Sequence, residues 1–269
     1  MRVGIVGLGL IGGSLGRALR GLTPRVDVVG VTRRSDAAAV ARARGAVDDA
    51  STDFAILRNA DIVVVATPID QIPDVLDQLA PLAIAGAVIT DVASVKRPVR
   101  AWVRRLPEPG LFLGGHPVAG KAQSGIEASD PAIFRGEAWI FTPLEAQNLR
   151  PFQAWFDLVA AIGARPAFLT PEEHDRELAY LSHLAFTVSA AFEQTVRENA
   201  DPALGGPGYR SMVRLAGGDR AMYESIAHEN REPLLTAINR FSRTLEALRD
   251  RIERGEPLGQ IEAGRHVAV

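Results

Sequence analysis

Short apolar runs alternate with amphipathic stretches over the first 170 residues of the chain. Runs rich in Val, Ile and Phe that end at Gly or Pro are typical of buried strands. The predicted strands are RVGIVGL, VDVVGV, DIVVVATP, GAVITDVAS, LFLGGHP, AWIFTP and ARPAFLT. Helical stretches such as DAAAVARARGA and IPDVLDQLAPLA lie between them. The alternation predicts an α/β domain over residues 1–170, built on a doubly wound parallel sheet.

After Thr170 the strand pattern stops, and an all-helical domain is predicted over residues 171–269. Its first stretch, PEEHDRELAYLSHLAFTVSAAFEQTV, begins with Pro and acidic residues, as helices do. Apolar residues recur along it at helical spacing: Leu178, Leu181, Ala185, Val188 and Phe192. The opposite face is also mostly uncharged, so we expect burial on all sides, partly against a second subunit or the first domain. Two more helices are predicted from Asp219 to about Arg254, broken near Pro233.

Bulk composition narrows the class of partner. The 269 residues carry a net charge of −2 with no basic tract, which argues against nucleic acid and anionic membranes and favours a small molecule. The longest nearly uncharged stretch, LAYLSHLAFTVSAAF, is shorter than the ~20 apolar residues of a membrane span. The absence of cysteine excludes disulfides and thiolate chemistry and suits the cytoplasm.

A glycine fingerprint follows the first predicted strand. Gly7, Gly9 and Gly12 have the spacing G-x-G-x-x-G and open a helix at Leu10 and Ile11. In this context the glycines allow a tight turn and a close approach of pyrophosphate to the helix N-terminus. The motif predicts a bound dinucleotide; the alternative is a glycine-rich turn of an ordinary α/β domain.

The end of the second strand bears on which dinucleotide binds. Where NAD-binding proteins usually carry Asp or Glu, this chain has Thr32, followed by the run Arg33, Arg34 and Ser35. Guanidinium and hydroxyl groups suit a 2′-phosphate, which favours NADP over NAD. The alternative is that the arginines are surface charges and that Asp27 or Asp36 serves the ribose.

Polar residues follow three further strands, at the edge where such sheets bind ligands. They are Thr67 and Pro68 of ATP, Ser94 of DVASVK and His116 of GGHPVAG. A histidine near its ordinary pKa of about 6.5 can take a hydroxyl proton as hydride leaves the same carbon. Ser94 is expected to hold that hydroxyl or to orient the imidazole; the alternative for His116 is a turn histidine bonded to backbone.

Other charged residues are weaker candidates. The only two lysines, Lys96 and Lys121, stand in or beside these loops and suit contact with a phosphate or an anionic substrate. His174 and His183 are expected on opposite sides of one helix, so no metal site is predicted. With Asp175, His174 is interpreted as a helix-start feature, whereas His183 faces a cleft or the core.

Six motifs together resemble the prephenate and arogenate dehydrogenases of tyrosine biosynthesis. They are GLGLIGGSL, ATP, TDVASVK, GGHPVAGKAQSGI, SHLAFTVSAA and GYRSMVRLAGGD. The resemblance implies a Rossmann nucleotide domain followed by a helical dimerisation domain, hence a homodimer. It also implies oxidative decarboxylation of a cyclohexadienyl substrate, either arogenate to tyrosine or prephenate to 4-hydroxyphenylpyruvate, with hydride transfer to NADP or NAD.

The resemblance also assigns roles to individual residues. His116 matches the base that receives the hydroxyl proton, Ser94 its hydrogen-bonding neighbour, and Arg214 the arginine that binds substrate carboxylate. His183 and Lys121 are further substrate-binding candidates. Many prephenate-using members read SHLPH where this chain has SHLAF, so Phe186 replaces a histidine, which favours the NADP-linked arogenate branch.

Two other functions fit parts of the sequence. A β-hydroxyacid dehydrogenase also combines a nucleotide domain with helices, but it needs a catalytic lysine, and residues 171–269 contain none. A dinucleotide sensor without turnover would need no base at the end of the strand that carries His116.

Overall fold

The computed structural model describes residues 1–82, 86–121 and 123–258. Eight strands form one sheet in the order β3-β2-β1-β4-β5-β6-β7-β8. They are β1 Arg2–Val6, β2 Asp27–Val31, β3 Asp49–Ser51, β4 Ile62–Val65, β5 Val88–Asp91, β6 Phe112–Pro117, β7 Ala138–Thr142 and β8 Arg165–Phe168. Every neighbouring pair is parallel except β6 and β7, which are antiparallel. The strand order reverses at β1 and β4, where doubly wound sheets bind their ligands.

All seven predicted strands form, and β3 is an addition to them. It reads DAS and pairs with β2 at the edge of the sheet. Such a short polar run lacks the apolar pattern that marks a strand, so no sequence pattern predicts it.

Helices cover the sheet and then form the remainder of the described chain. They are α1 Leu10–Arg20, α2 Ser35–Ala43, α3 Ile72–Leu79, α4 Arg97–Trp102, α5 Gln153–Ala161, α6 Pro171–Leu178, α7 Leu184–Asn199, α8 Pro207–Val213, α9 Arg220–Glu229 and α10 Arg231–Glu253. No helix in residues 1–82, 86–121 and 123–258 combines the length and apolarity needed to cross a membrane. The last part of the predicted helical domain, 259–269, lies outside the described residues.

The core lies on both faces of the sheet. Along β4, Ile62 and Val64 join one apolar cluster, whereas Val63 and Val65 join the other. Because alternate side chains of a strand point to opposite faces, this division confirms that helices cover the sheet on both sides.

The helix predicted after Thr170 begins where expected but is not uniform. Thr170 caps α6, and its side chain and that of Glu173 exchange hydrogen bonds with each other's backbone N–H groups. Between α6 and α7 the segment Ala179–His183 forms a π-helical turn, which the 3.6-residue period did not predict.

Burial along this helix is only partial. Leu178 is buried, but Leu181 is 74% exposed, and only Ser189 is buried on α7. A single chain therefore leaves part of this helix exposed, and its burial against a second subunit stays a prediction. The predicted break before the last helix is confirmed; it falls at Asn230, because Pro233 fits within the first turn of α10.

Candidate active site

The fingerprint glycines form the turn between β1 and α1. Gly7 has φ of +96°, and a Cβ there would lie 2.6 Å from the Ala66 carbonyl oxygen. A Cβ on Gly12 would lie 2.0 Å from the Gly7 carbonyl oxygen, whereas one on Gly9 would meet no described atom within 4 Å. Gly7 and Gly12 are thus required by the turn itself, and Gly9 faces open space at the start of α1.

Alanine substitutions should separate the glycine that the turn requires for packing from the glycine that leaves space for a ligand. Gly12→Ala is expected to destabilise the protein by about 1–3 kcal/mol, because the added methyl group meets backbone. Gly9→Ala should leave the melting temperature unchanged and weaken dinucleotide binding, because its methyl group projects into the space that a pyrophosphate needs. Thermal melts with and without NADP and NAD, together with dinucleotide titrations, measure both effects. A Gly9→Ala protein with full dinucleotide affinity would contradict this assignment.

Polar groups beside the turn fit a dinucleotide. The Thr67 hydroxyl, after β4, is buried without a hydrogen-bond partner among the described residues, and the Thr67 backbone N would lie 3.0 Å from a Cβ on Gly7. Pro68 follows it and is exposed. Leu10 and Ile11 form the first turn of α1, where no acidic side chain opposes a phosphate. The turn, the free hydroxyl and the helix N-terminus together can hold a pyrophosphate.

The residues after β2 lie at the same edge of the sheet. The Thr32 hydroxyl donates to the Arg34 carbonyl oxygen at 2.9 Å. Arg34 precedes α2 and pairs with Asp36 at 3.0 Å, while the side chain of Arg33 is exposed. Ser35 is the first residue of α2. Arg33 is thus the guanidinium that remains available to a 2′-phosphate.

The two glycines before His116 have a packing reason. A Cβ on Gly114 would lie 2.2 Å from the Thr142 hydroxyl on β7, and one on Gly115 would lie 2.7 Å from the Asp91 carbonyl oxygen on β5. Strand β6 therefore fits between its neighbours only with glycine at these positions. It carries His116 to the same edge as the dinucleotide turn, where the ring is 8% exposed.

His116 is linked to the helical part of the chain by a buried hydrogen-bond chain. Its Nδ1 lies 2.8 Å from His174 Nε2, and His174 Nδ1 lies 2.8 Å from the Asp175 carboxylate. The two Asp175 oxygens also accept the backbone N–H groups of Lys96 and Arg97 at 2.7 and 2.9 Å, at the start of α4. His174 lies near the start of α6, as interpreted, and it also binds His116 and Asp175, which that interpretation did not include.

The hydrogen bonds from Asp175 through His174 to His116 fix the position of each imidazole proton. An ionised Asp175 can only accept, so His174 donates from Nδ1 and accepts at Nε2. His116 then donates from Nδ1, which leaves its Nε2 as a bare lone pair. A second histidine and a carboxylate thus hold His116 in the tautomer that a general base requires.

Lys96 is a structural residue of this site. Its side chain is 1% exposed, pairs with Asp91, and donates to the Gly115 carbonyl oxygen at 2.6 Å. Burial lowers the pKa of Lys96, and the Asp91 carboxylate partly offsets this. The proposed contact of Lys96 with phosphate or substrate is wrong, because the ammonium group is buried and bonded to Asp91 and the Gly115 carbonyl.

Burial keeps the clustered histidines neutral. The pKa of His116 falls well below 6.5, first because the ring is desolvated and then because a proton on it would be repelled by the Lys96 ammonium and by any proton on His174 or His183. The same desolvation lowers the pKa of His174 to about 2 and that of His183 to about 4. Burial raises the pKa of Asp175, against the backbone donors that lower it. At neutral pH His116 is therefore ready to accept a proton.

This neutrality makes stability depend on pH. An unfolded histidine takes up a proton below about 6.5, whereas the folded rings do not, so the free energy of unfolding should fall as pH falls from 6.5 towards 5. Each buried ring should contribute about 1.4 kcal/mol per pH unit, opposed at the lower end by Asp175 with its raised pKa. Denaturant titrations of wild type, His183→Asn and His228→Asn at several pH values measure how steeply the free energy of unfolding changes with pH. His228 is 85% exposed, so only the His183 variant should flatten this dependence.

His183 is joined to the same cluster through Asn230, at the junction of α9 and α10. The Asn230 amide donates to the Asp175 backbone carbonyl at 2.7 Å and to His183 Nδ1 at 3.1 Å. The π turn contains an extra residue, which reduces the angle between His174 and His183 from opposite sides to roughly 80°. The expectation that the two rings face opposite sides is therefore wrong.

A pocket of about 160 Å³ lies beside His183. Phe186 and Tyr223 stack on one another at its wall, with ring centres 3.5 Å apart and planes 7° from parallel. Arg220 and Glu224 of α9 also line it. The pocket thus combines an apolar wall, two charged side chains and a buried imidazole.

Three predicted site residues are not bonded into this cluster. No hydrogen bond joins Ser94 to His116 within the described chain; His174 orients the ring instead. Lys121 pairs with Asp130 at 2.9 Å, and Asp130 is held by Ser14 of α1, which places Lys121 beside the dinucleotide-binding helix. Arg214 is exposed at the end of α8.

Sequence reasoning missed Asp175 and Asn230 as site residues. The HD pair in the first turns of a helix was a usable signal for Asp175, because a carboxylate beside a histidine often orients its ring. Asn230 had no such signal, since its two partners lie 55 and 47 residues away.

The fold and this site define a nicotinamide-dependent dehydrogenase: a Rossmann sheet with its glycine turn, and an oriented neutral histidine at the same edge. Residues 15–180 match the family model of the prephenate dehydrogenase nucleotide-binding domain, and residues 170–259 match that of the prephenate dehydrogenase dimerization domain. The chain belongs to the prephenate dehydrogenase family.

Individual relatives support the same family assignment. Prephenate dehydrogenase of Bacillus subtilis is 30% identical over 93% of this chain and 69% of its own. The crystal structure of Synechocystis arogenate dehydrogenase is 31% identical, with a TM-score of 0.80 over 95% of this chain and 93% of that one. Prephenate dehydrogenase from A. aeolicus, solved with hydroxyphenyl propionate and NAD+, is 27% identical, with a TM-score of 0.87 over 95% and 91%.

Proposed function

We propose that this enzyme oxidatively decarboxylates arogenate to tyrosine and reduces NADP, with prephenate as its second substrate. The observation that carries the proposal is the chain His116–His174–Asp175, which leaves a neutral lone pair on His116 Nε2 at the ligand-binding edge of the sheet. The relatives named above act on prephenate or arogenate, and the nucleotide-binding family model supports a nicotinamide cofactor.

The reaction needs one base and a group that holds the substrate carboxylate in place. A nicotinamide held by the glycine turn and Thr67 would supply the acceptor for the hydride of the ring carbon that bears the hydroxyl group. His116 Nε2 takes the proton of that hydroxyl, and Ser94 holds its oxygen. The electron pair of the breaking bond to the ring carboxylate, which leaves as carbon dioxide, completes the aromatic ring as a phenolate, and the proton returns from His116 to the phenolate oxygen. Arg214 binds substrate carboxylate, for which a bidentate guanidinium is suited.

The cofactor preference rests on Arg33. Replacing Arg33 by Ser should lower kcat/KM for NADP about tenfold or more and leave kcat/KM for NAD nearly unchanged, because a hydrogen bond to a charged group contributes about 1.5–3 kcal/mol. Arg104→Ser, at an exposed arginine after α4, is the matched control. Equal losses with both cofactors in the Arg33 variant would remove the 2′-phosphate assignment.

The working unit we propose is a homodimer, with a nucleotide domain over residues 1–170, a helical domain over 171–269 and a cytoplasmic location. Large apolar side chains remain exposed on the helical part: Leu181, Leu204, Leu235, Leu245 and Ile252. Apolar exposure of this extent is typical of a surface that a second subunit covers. The dimerization-domain match supports this arrangement.

The deciding experiment offers purified protein arogenate and prephenate separately, each with NADP and with NAD. We expect fastest reduction of NADP with arogenate. Turnover of prephenate alone would retain the mechanism and overturn the substrate preference. No turnover with any pair, despite dinucleotide binding, would replace the enzyme by a dinucleotide sensor.

A further inference from the structure

The pocket beside His183 carries two opposite charges that no described residue neutralises. Arg220 and Glu224 lie four residues apart on α9, so they share one face of the helix, and both line the pocket. No ion pair or hydrogen bond joins their side chains to each other or to another residue in the described ranges. Both charged groups are therefore available to a ligand.

A third polar group is buried at the same place. His183 is 1% exposed, and its Nε2 has no hydrogen-bond partner among the described residues. Because the Asn230 amide group donates to the Asp175 carbonyl, the same amide group must also donate to His183 Nδ1. His183 therefore carries its proton on Nε2, an N–H without a described partner on a residue that lines the pocket.

We propose that this pocket recognises the α-amino acid end of the substrate, with Glu224 binding the ammonium group, Arg220 the side-chain carboxylate, and His183 Nε2–H donating to a substrate oxygen. The proposal rests on the proposed function and names its substrate class. Both side chains bring a carboxylate towards Glu224, but a keto acid has no ammonium group to offset the repulsion. The keto acid is therefore expected to bind more weakly than the amino acid.

The aromatic wall of the pocket does not contribute to this specificity. The rings of Phe186 and Tyr223 stack face to face. A Cβ on Gly218 would lie 3.2 Å from Tyr223 and 3.8 Å from Phe186. The one polar group of the stacked pair is the Tyr223 hydroxyl, which can donate to a keto oxygen or accept from an ammonium group, so the pair does not distinguish the two substrate side chains. Discrimination falls to the charged groups of α9.

The test compares kcat/KM for arogenate and prephenate, with NADP, in wild type and three variants. Glu224→Gln should lower the ratio of kcat/KM for arogenate to that for prephenate at least tenfold, because the ammonium loses its partner and the keto acid is no longer repelled. Arg220→Gln should lower both values by similar factors, because both side chains carry a carboxylate. Glu229→Gln, on the same helix but outside the pocket lining, should leave the ratio unchanged.

Two results would overturn the inference while leaving the dehydrogenase intact: an unchanged ratio in Glu224→Gln, or a wild-type enzyme that prefers prephenate tenfold. Inhibition constants for the products tyrosine and 4-hydroxyphenylpyruvate give a second readout that does not depend on turnover. Glu224→Gln should weaken tyrosine and not the keto acid. Wild-type protein that turns over neither substrate would instead contradict the proposed function itself.

Discussion

Replacing His116 by Asn is expected to lower kcat by ~100-fold or more, because a positioned general base contributes about 10²–10⁴-fold to such a reaction. Asparagine has room at this position, and its amide can still donate to His174 Nε2, so the buried chain is retained. It has no lone pair that can accept the hydroxyl proton near neutral pH. Dinucleotide binding should persist, since the glycine turn and Thr67 are untouched.

Initial rates and dinucleotide titrations measure this prediction. His228→Asn is the matched control, because the same substitution is made at an exposed histidine outside the cluster. The pH profile gives an independent check: with the pKa of His116 well below 6.5, the acidic limb of kcat/KM should lie below that value. Turnover of His116→Asn within threefold of wild type would remove His116 as the base.

Two substitutions of His174 should differ although they remove the same ring. His174→Leu leaves the Nδ1–H of His116 without an acceptor, which costs about 1–3 kcal/mol for a buried group and releases the tautomer. We expect kcat to fall roughly tenfold to a hundredfold. His174→Gln places an amide oxygen where Nε2 stood, so it accepts from His116 and should recover most of the activity.

The recovery by glutamine distinguishes positioning from support of the fold. Melting temperatures of both variants are needed, because His174 is fully buried and bonded to Asp175. If both variants lose the same activity, His174 acts only through stability. If both keep wild-type activity, the chain from Asp175 does not set the reactive tautomer of His116.

The predicted elements were those whose pattern is local. Seven strands and the start of α6 followed from apolar runs, glycines and the Pro-Glu-Glu sequence, whereas the Thr170 cap was not predicted. The π turn at Ala179–His183 did not, because the 3.6-residue period contains no sign of an extra residue, and the Asn230 that binds His183 lies 47 residues away. That single turn changed the relation between His174 and His183.

The predicted ligand contact of Lys96 was wrong because it rested on charge and position in the sequence alone. Its position after a strand suggested an exposed ligand contact, but the structure closes α6 over it, and Asp175 binds the backbone 79 residues away in sequence. A lysine can be buried there only because Asp91 and the Gly115 carbonyl satisfy it. Composition cannot reveal such a pairing.

The sequence by itself determined the glycine turn, the alternation of strands and helices, the helical second part and His116 as the candidate base, because each depends on residues close together in the chain. Only the tertiary structure decided which groups act on His116. Its partner His174 lies 58 residues away. Their meeting depends on how α6 packs against the end of β6 and the start of α4, and no local pattern encodes that contact.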